Sequence, residues 1–413
     1  MLKIPMRMWP ALALLGFSGG LSQPLIAETL ATWLTSVGWS KEDVVLFGWV
    51  TLPLAVKVLW APAVDRLVPP FFGRRRGWLL LMQVVIALGL VGMACTNPLD
   101  PSWMMVVSVL LVATASATQD LAANGYNCDA LPPESLAAGA GVWVWGYRVA
   151  MALSVGGAVY IAGKWGWSTA YFIMAGGMVF GILGTLMAPL PLRNDPPLSW
   201  EEALVEPVRD FHRRLGGAGL AWLLVFVMLY RLPDGMASLL ISVKQTEIIP
   251  DLSDLGILRI WTGILGAGIG ALLAARCSER LGMLSCLWWF GIFQALSNVG
   301  YIGLDQHWWG GTTGLGTVML FDAICGAAAA AVFVGYLMGF CTARSSATQY
   351  ALLFAVYALT PHLLRYSVAK AIPIVGYTWF FSATVIVAIP GLWLLGRMSR
   401  LANASTAVDE RLA

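Results

Sequence analysis

The chain holds 413 residues, 59% of them hydrophobic and only 11% charged, with a formal net charge of +3. Soluble domains carry about 25% charged residues, so this chain has too little charge to clothe a water-facing surface. Soluble enzymes, nucleic-acid binders and disordered chains are excluded on that ground, and a lipid bilayer is the solvent the composition suits.

In chain order, Lys3 and Arg7 come before an apolar run from Trp9 to Leu30. That run exceeds the roughly 7–15 apolar residues of a cleavable signal, which predicts an uncleaved first span. A membrane helix needs about 20 mostly apolar residues. Such segments fall at 9–34, 44–62, 77–96, 103–127, 139–162, 169–190, 218–242, 255–275, 282–302, 313–340, 349–371 and 378–397. No strand alternation competes with them, so the expected class is an all-α membrane protein of twelve helices.

Basic residues cluster at the N-terminus and in every second loop, at Arg66, Arg74, Arg75, Arg76, Arg193, Arg209, Arg213, Arg214, Arg276, Arg280 and Arg344. The opposite loops hold only Lys41, Lys164 and Lys244. The positive-inside rule then places both termini and the central loop in the cytoplasm. A Pro-rich, charged stretch divides the spans six and six. The expected domains are a six-helix bundle over 1–190, a linker over 191–217, a second bundle over 218–397 and a tail over 398–413. Val64-Asp65-Arg66-Leu67 is echoed by Ser278-Glu279-Arg280-Leu281 in the equivalent loop of the second half. Two pseudo-symmetric six-helix halves make the architecture of the major facilitator superfamily.

Six scattered cysteines without a C-x-x-C and three distant histidines predict no metal site, cofactor or disulfide framework. Asp129, Glu134 and His212 are too dispersed for a membrane enzyme's site, so no catalytic residue is expected.

Ionisable groups inside a span cost roughly 2.5–3.5 kcal/mol each on insertion scales, so each needs a partner, water or a function. The deep ones are Asp120, Arg148, Arg231, Asp234, Asp322 and Arg365. Similar depths in neighbouring spans suggest an ion pair between Asp120 and Arg148, serving either coupling or helix orientation. Arg231 and Asp234, three apart around Pro233, share a helix face. Asp322 reads either as a proton acceptor or as an acceptor of hydrogen bonds from a neighbouring helix. Glu28, Lys57, Arg259 and Lys370 lie nearer span ends, where snorkelling is expected. Gly16 to Gly20, Gly139 to Gly141 and Gly263 to Gly270 are small-residue runs suited to close helix approach.

The loop Leu59-Trp60-Ala61-Pro62, Asp65-Arg66 and Pro69-Pro70-Phe71-Phe72-Gly73-Arg74-Arg75-Arg76-Gly77-Trp78 resembles the AmpG-type muropeptide permeases of that superfamily. The likeness continues through Gln119-Asp120, Asp129 to Pro132, Gly146-Tyr147-Arg148, Tyr230-Arg231, Gly291 to Tyr301 and Ser346 to Leu353. It departs at Asn124, Pro233-Asp234 and Asp322-Ala323. The resemblance implies proton-driven import of anhydro-muropeptides across the bacterial inner membrane by a monomer embedded in lipid. Sibling groups resemble siderophore importers and acetyl-coenzyme A carriers. Candidate proton-coupling residues are Asp120, Asp234 and Asp322. Candidate substrate contacts are Gln119, Asn124, Tyr126, Trp143, Tyr147, Arg148, Tyr230, Arg231, Gln294, Asn298 and Gln349. Asp65, Arg66, Arg74, Arg75, Arg76, Glu279 and Arg280 form a candidate cytoplasmic latch, the arginine cluster reading also as a simple topology anchor.

Overall fold

All regular structure among the described residues is helical, the form in which a lipid-embedded backbone satisfies its own hydrogen bonds. The computed structural model describes residues 7–99, 103–130, 136–190, 200–340 and 346–412. Lys3, Pro132, Glu134, Arg193, Cys341 and Arg344 lie outside them.

The first span is α1 (Met8–Leu25) and α2 (Glu28–Ser36), interrupted just after Pro24. Proline has no N–H for the carbonyl of Gly20, and the Ser154 hydroxyl donates to that oxygen instead at 3.3 Å. The second span, expected as one helix over 44–62, is broken into α3 (Lys41–Phe47), α4 (Leu52–Val56) and α5 (Ala61–Arg66). Short 3-10 turns at Gly48–Thr51 and Lys57–Leu59 join them. Pro53 and Pro62 cause the breaks, because proline favours the first turn of a new helix and not the interior of an old one.

Next come α6 (Arg74–Ala94), α7 (Trp103–Ala130), α8 (Leu136–Ala152), α9 (Ala158–Trp165) and α10 (Trp167–Met187). A π turn at Leu153–Gly157 links α8 to α9. The remainder is α11 (Trp200–Ile248), α12 (Leu252–Leu281), α13 (Met283–Asp305), α14 (Gly311–Met338) and α15 (Ser346–Leu412). Helix α11 bends at Gly216 (φ 69°) and α15 at Gly376 (φ 71°), left-handed backbone that glycine adopts without strain. The linker is therefore helical from Trp200 to Gly216, where the sequence suggested loop. Among the described residues, nine stretches are long and apolar enough to cross a membrane. One of these, Ala351–Gly396, holds two spans at its Gly376 bend, and α13 and the broken second span complete the expected twelve.

The chain forms two compact units. The first comprises Met1–Ser40, Phe47–Pro197 and Gln245–Trp261; the second comprises Lys41–Leu46, Leu198–Lys244 and Thr262–Ala413. In the first, α1 and α8 touch backbone to backbone. A Cβ on Gly16 would strike the Trp143 carbonyl, and one on Gly146 would strike that of Ala13. In the second, Tyr230 stacks on Phe333 at 5.1 Å and Phe226 meets Tyr336 edge-on at 6.0 Å. The linker helix docks on this core through buried Phe211. Its Arg214 donates to the Phe340 carbonyl at 2.6 Å, a cation at the C-terminal end of α14 where the helix dipole favours it.

Candidate functional site

The intramembrane charges of the first unit are arranged by the break in the second span. The turn at 57–59 aims Lys57 at Asp120 of α7, and the two side chains form a mostly buried ion pair, 13% and 15% exposed. Beside it the Trp60 indole donates to the Thr118 hydroxyl at 3.1 Å. The expected Asp120–Arg148 pair does not form, since Lys57 has taken the carboxylate and Arg148 is exposed on α8. Lys57 is thus not a snorkelling residue. Neither is Arg259, which is 4% exposed and donates to Gln245 at 2.9 Å and to Thr32 at 2.7 Å.

Other sequence candidates in this unit take varied places. Gln119 is buried and accepts from the Ser18 hydroxyl at 3.2 Å. Tyr126 is fully buried and gives its hydroxyl to the Pro189 carbonyl at 2.9 Å. Asn124 is exposed, while Trp143 and Tyr147 are half-buried and stack at 5.5 Å. At the arginine-rich loop, Arg75 and Arg74 hold Asp129 at 2.8 and 3.7 Å. Arg76 donates to the carbonyls of Thr185 and Leu186 at 3.1 and 3.2 Å, at the end of α10. Arg66 is exposed, and the side chain of Asp65 lies outside the described part of the chain.

The second unit holds the denser polar group. Arg231 pairs with Asp234 at 2.6 Å and lies 5.1 Å above the Tyr357 ring, so the expected shared helix face is an ion pair. Gln294 of α13 donates to both Asp234 (3.3 Å) and Asp322 (3.1 Å), and Ser297 donates to Asp322 at 2.7 Å. Asp322 therefore accepts hydrogen bonds from a neighbouring helix. A small cavity with room for one water is lined by Arg231, Asp234, Gln294 and Tyr230. Tyr230 itself belongs to the core and donates to the Leu287 carbonyl at 2.9 Å. Asn298 donates to Thr384 at 2.9 Å, and Gln349 to Asp210 of the linker helix at 2.7 Å. Glu279 and Arg280 are exposed.

Sequence reasoning missed Lys57, Ser297, Tyr357 and Asp210 as partners. Ser297 stands three residues after Gln294 on one helix face, a signal that was available; the other three are long-range contacts with no local mark.

The chain is similar to known proteins over most of its length. Residues 8–360 match the Major Facilitator Superfamily. The chain is 36% identical over 395 residues to the anhydromuropeptide permease of Escherichia coli (strain K12), covering 93% of this chain and 78% of that protein. It is 26% identical over 406 residues to the putative transporter AmpG 4 of Rickettsia conorii, covering 94% and 96%. A crystal structure of a POT family transporter in complex with 5-aminolevulinic acid superposes with a TM-score of 0.72 at 12% identity, covering 96% of each chain. The chain is a multi-pass membrane transporter, not an enzyme, and belongs to the Major Facilitator Superfamily, in the branch that holds the AmpG-type permeases.

Proposed function

We propose that the chain imports anhydro-muropeptides, N-acetylglucosaminyl-anhydro-N-acetylmuramyl peptides, across the bacterial inner membrane by alternating access driven by protons. The observation that carries the substrate is the 36% identity, over 93% of the chain, to the Escherichia coli permease. The coupling reading is supported by the carboxylates of Asp234 and Asp322, joined through Gln294 inside the spans. Arg148, exposed on α8, suits the grip of a substrate carboxylate, which arginine holds bidentately. Trp143 and Tyr147 offer flat faces to a sugar ring. In this reading the chain works as a monomer with both termini in the cytoplasm, and the 1–190 and 218–397 segments are its two functional halves.

The test is uptake of labelled anhydro-muropeptide into proteoliposomes, with and without an imposed pH gradient. Saturable uptake accelerated by external acid is expected. Absence of uptake in both conditions, while a ferric siderophore or acetyl-coenzyme A is carried, would overturn the substrate.

A further inference from the structure

The loop joining α5 to α6 carries the sequence's most specific motif, and transport gives its apolar residues no task. Four of its side chains stand out from the protein within six residues. Leu67 is 59% exposed, Val68 63%, Phe71 71% and Phe72 46%. An apolar patch of this kind, unpacked by its own chain, is a surface that something else covers.

The loop is fixed in one shape. The Trp78 indole donates to the Leu67 carbonyl at 2.8 Å. A Cβ on Gly77 would meet the Phe71 carbonyl at 2.5 Å and the Pro69 Cβ at 2.9 Å, so the loop backbone rests on that glycine. Phe72 has φ 63°, left-handed backbone that a bulky side chain keeps only where its surroundings hold it there. The Arg76 guanidinium lies 5.6 Å from the Phe72 ring.

The same contacts set the loop's depth. Gly77 and Trp78 lie within the first turns of α6, about 5 Å along its axis from Arg74. The chain therefore does not arch away from the span ends. It folds back beside the turn where α6 passes from Arg74-Arg75-Arg76 to Trp78-Leu79-Leu80. That change of composition marks the level where headgroups give way to acyl chains, and where Trp residues gather. Arg66 precedes the loop and the three arginines follow it, with Asp129 set against Arg74 and Arg75. Such a basic border suits the phosphates of a lipid surface.

We propose that residues 67–72 are an interfacial anchor whose occupant is the phospholipid bilayer. Leu67, Val68, Phe71 and Phe72 sit among the upper acyl chains, and the arginine border meets the headgroup phosphates. The depth of the patch selects lipid over a soluble partner, because beside a membrane span at that level the neighbour is bilayer. Since the loop is pinned to Gly77 and Trp78, the anchor fixes the height of the α5–α6 corner.

The test places trifluoromethyl-phenylalanine at position 71 of the full chain in phospholipid nanodiscs and follows its fluorine NMR resonance. Broadening is compared between a lipid carrying a nitroxide high on its acyl chain and a water-soluble gadolinium chelate. The same label at Leu88, mid-span on α6 and 62% exposed, sets the lipid end of the scale. The free labelled amino acid in buffer sets the water end. The ratio of nitroxide to chelate broadening at position 71 should fall on the lipid half. A ratio on the water half would overturn the anchor and leave the loop as a face for a soluble partner. Where the label at 71 lowers the folded yield, Val68 takes it instead, with the same two outcomes.

Discussion

The ammonium of Lys57 closes directly on the carboxylate of Asp120, tying the broken second span to α7 through a pair that is mostly removed from solvent. Removing one partner of such a pair leaves the other charge buried and uncompensated, at a cost of about 3–5 kcal/mol, whereas removing both charges costs far less. Lys57→Met should therefore lower the melting temperature of the detergent-solubilised protein sharply. Lys57→Met combined with Asp120→Leu should recover most of the loss, read by a double-mutant cycle in thermal unfolding. Additive losses would show that the pair contributes nothing.

Arg148 presents the opposite case. It is exposed on α8 and takes no part in the Lys57–Asp120 pair. Arg148→Ala should leave the melting temperature within about 2 °C of wild type. If the side chain grips a substrate carboxylate, losing that charged hydrogen bond should raise KM about tenfold or more with kcat little changed. Uptake kinetics in proteoliposomes give both numbers, and an unchanged KM would take Arg148 out of the binding set.

The contact between α1 and α8 is intolerant of any side chain at Gly146, because an added Cβ would meet the Ala13 carbonyl and not a movable side chain. Gly146→Ala should cost about 1–3 kcal/mol, as overpacking of a rigid contact does. Folded yield by size-exclusion chromatography should fall accordingly. Gly176→Ala, where an added Cβ meets nothing within 4 Å, is the matched control.

Asp251 lies in the turn before α12, where it accepts from the backbone N–H of Ser253 at 2.8 Å and of Asp254 at 3.3 Å. Those two donors hold its carboxyl below the ordinary value of 3.8. A carboxyl lowered on folding adds stability above its unfolded value and loses it as pH falls through the folded one. The melting-temperature gap between wild type and Asp251→Ala should thus be about 2 °C at neutral pH and close below about pH 3.8. Asp251→Asn, which keeps a cap without a titrating charge, should show a smaller dependence on acid.

Composition and basic-residue placement make the spans legible, because lipid allows few ways to satisfy a backbone, and the loop from Leu59 to Trp78 with the motifs after it makes the family legible. Partnerships inside the spans were less visible. A rise of about 1.5 Å per residue along straight helices puts Asp120 and Arg148 at similar depth. That arithmetic had no way to include Lys57, whose direction is set by a 3-10 turn between two prolines. Gln349 was similarly placed by its motif, yet its amide is engaged by Asp210, from a stretch whose prolines and charges suggested loop. Arg231 and Asp234 were legible because their spacing is local, three residues on one helix.

The backbone contact of α1 with α8 carries a mechanical consequence. Just beyond it both helices lose regular geometry, α1 after Pro24 and α8 in the π turn at Leu153–Gly157. The two discontinuities are stitched together, with the Thr29 hydroxyl on the Ser154 carbonyl at 2.7 Å and the Ser154 hydroxyl on that of Gly20 at 3.3 Å. The glycine contact therefore makes a stiff double strut, and the stitched turns make a single elbow above it. Displacing either α2 or α9 would therefore pull on the same two hydrogen bonds, which ties the two helices to one joint.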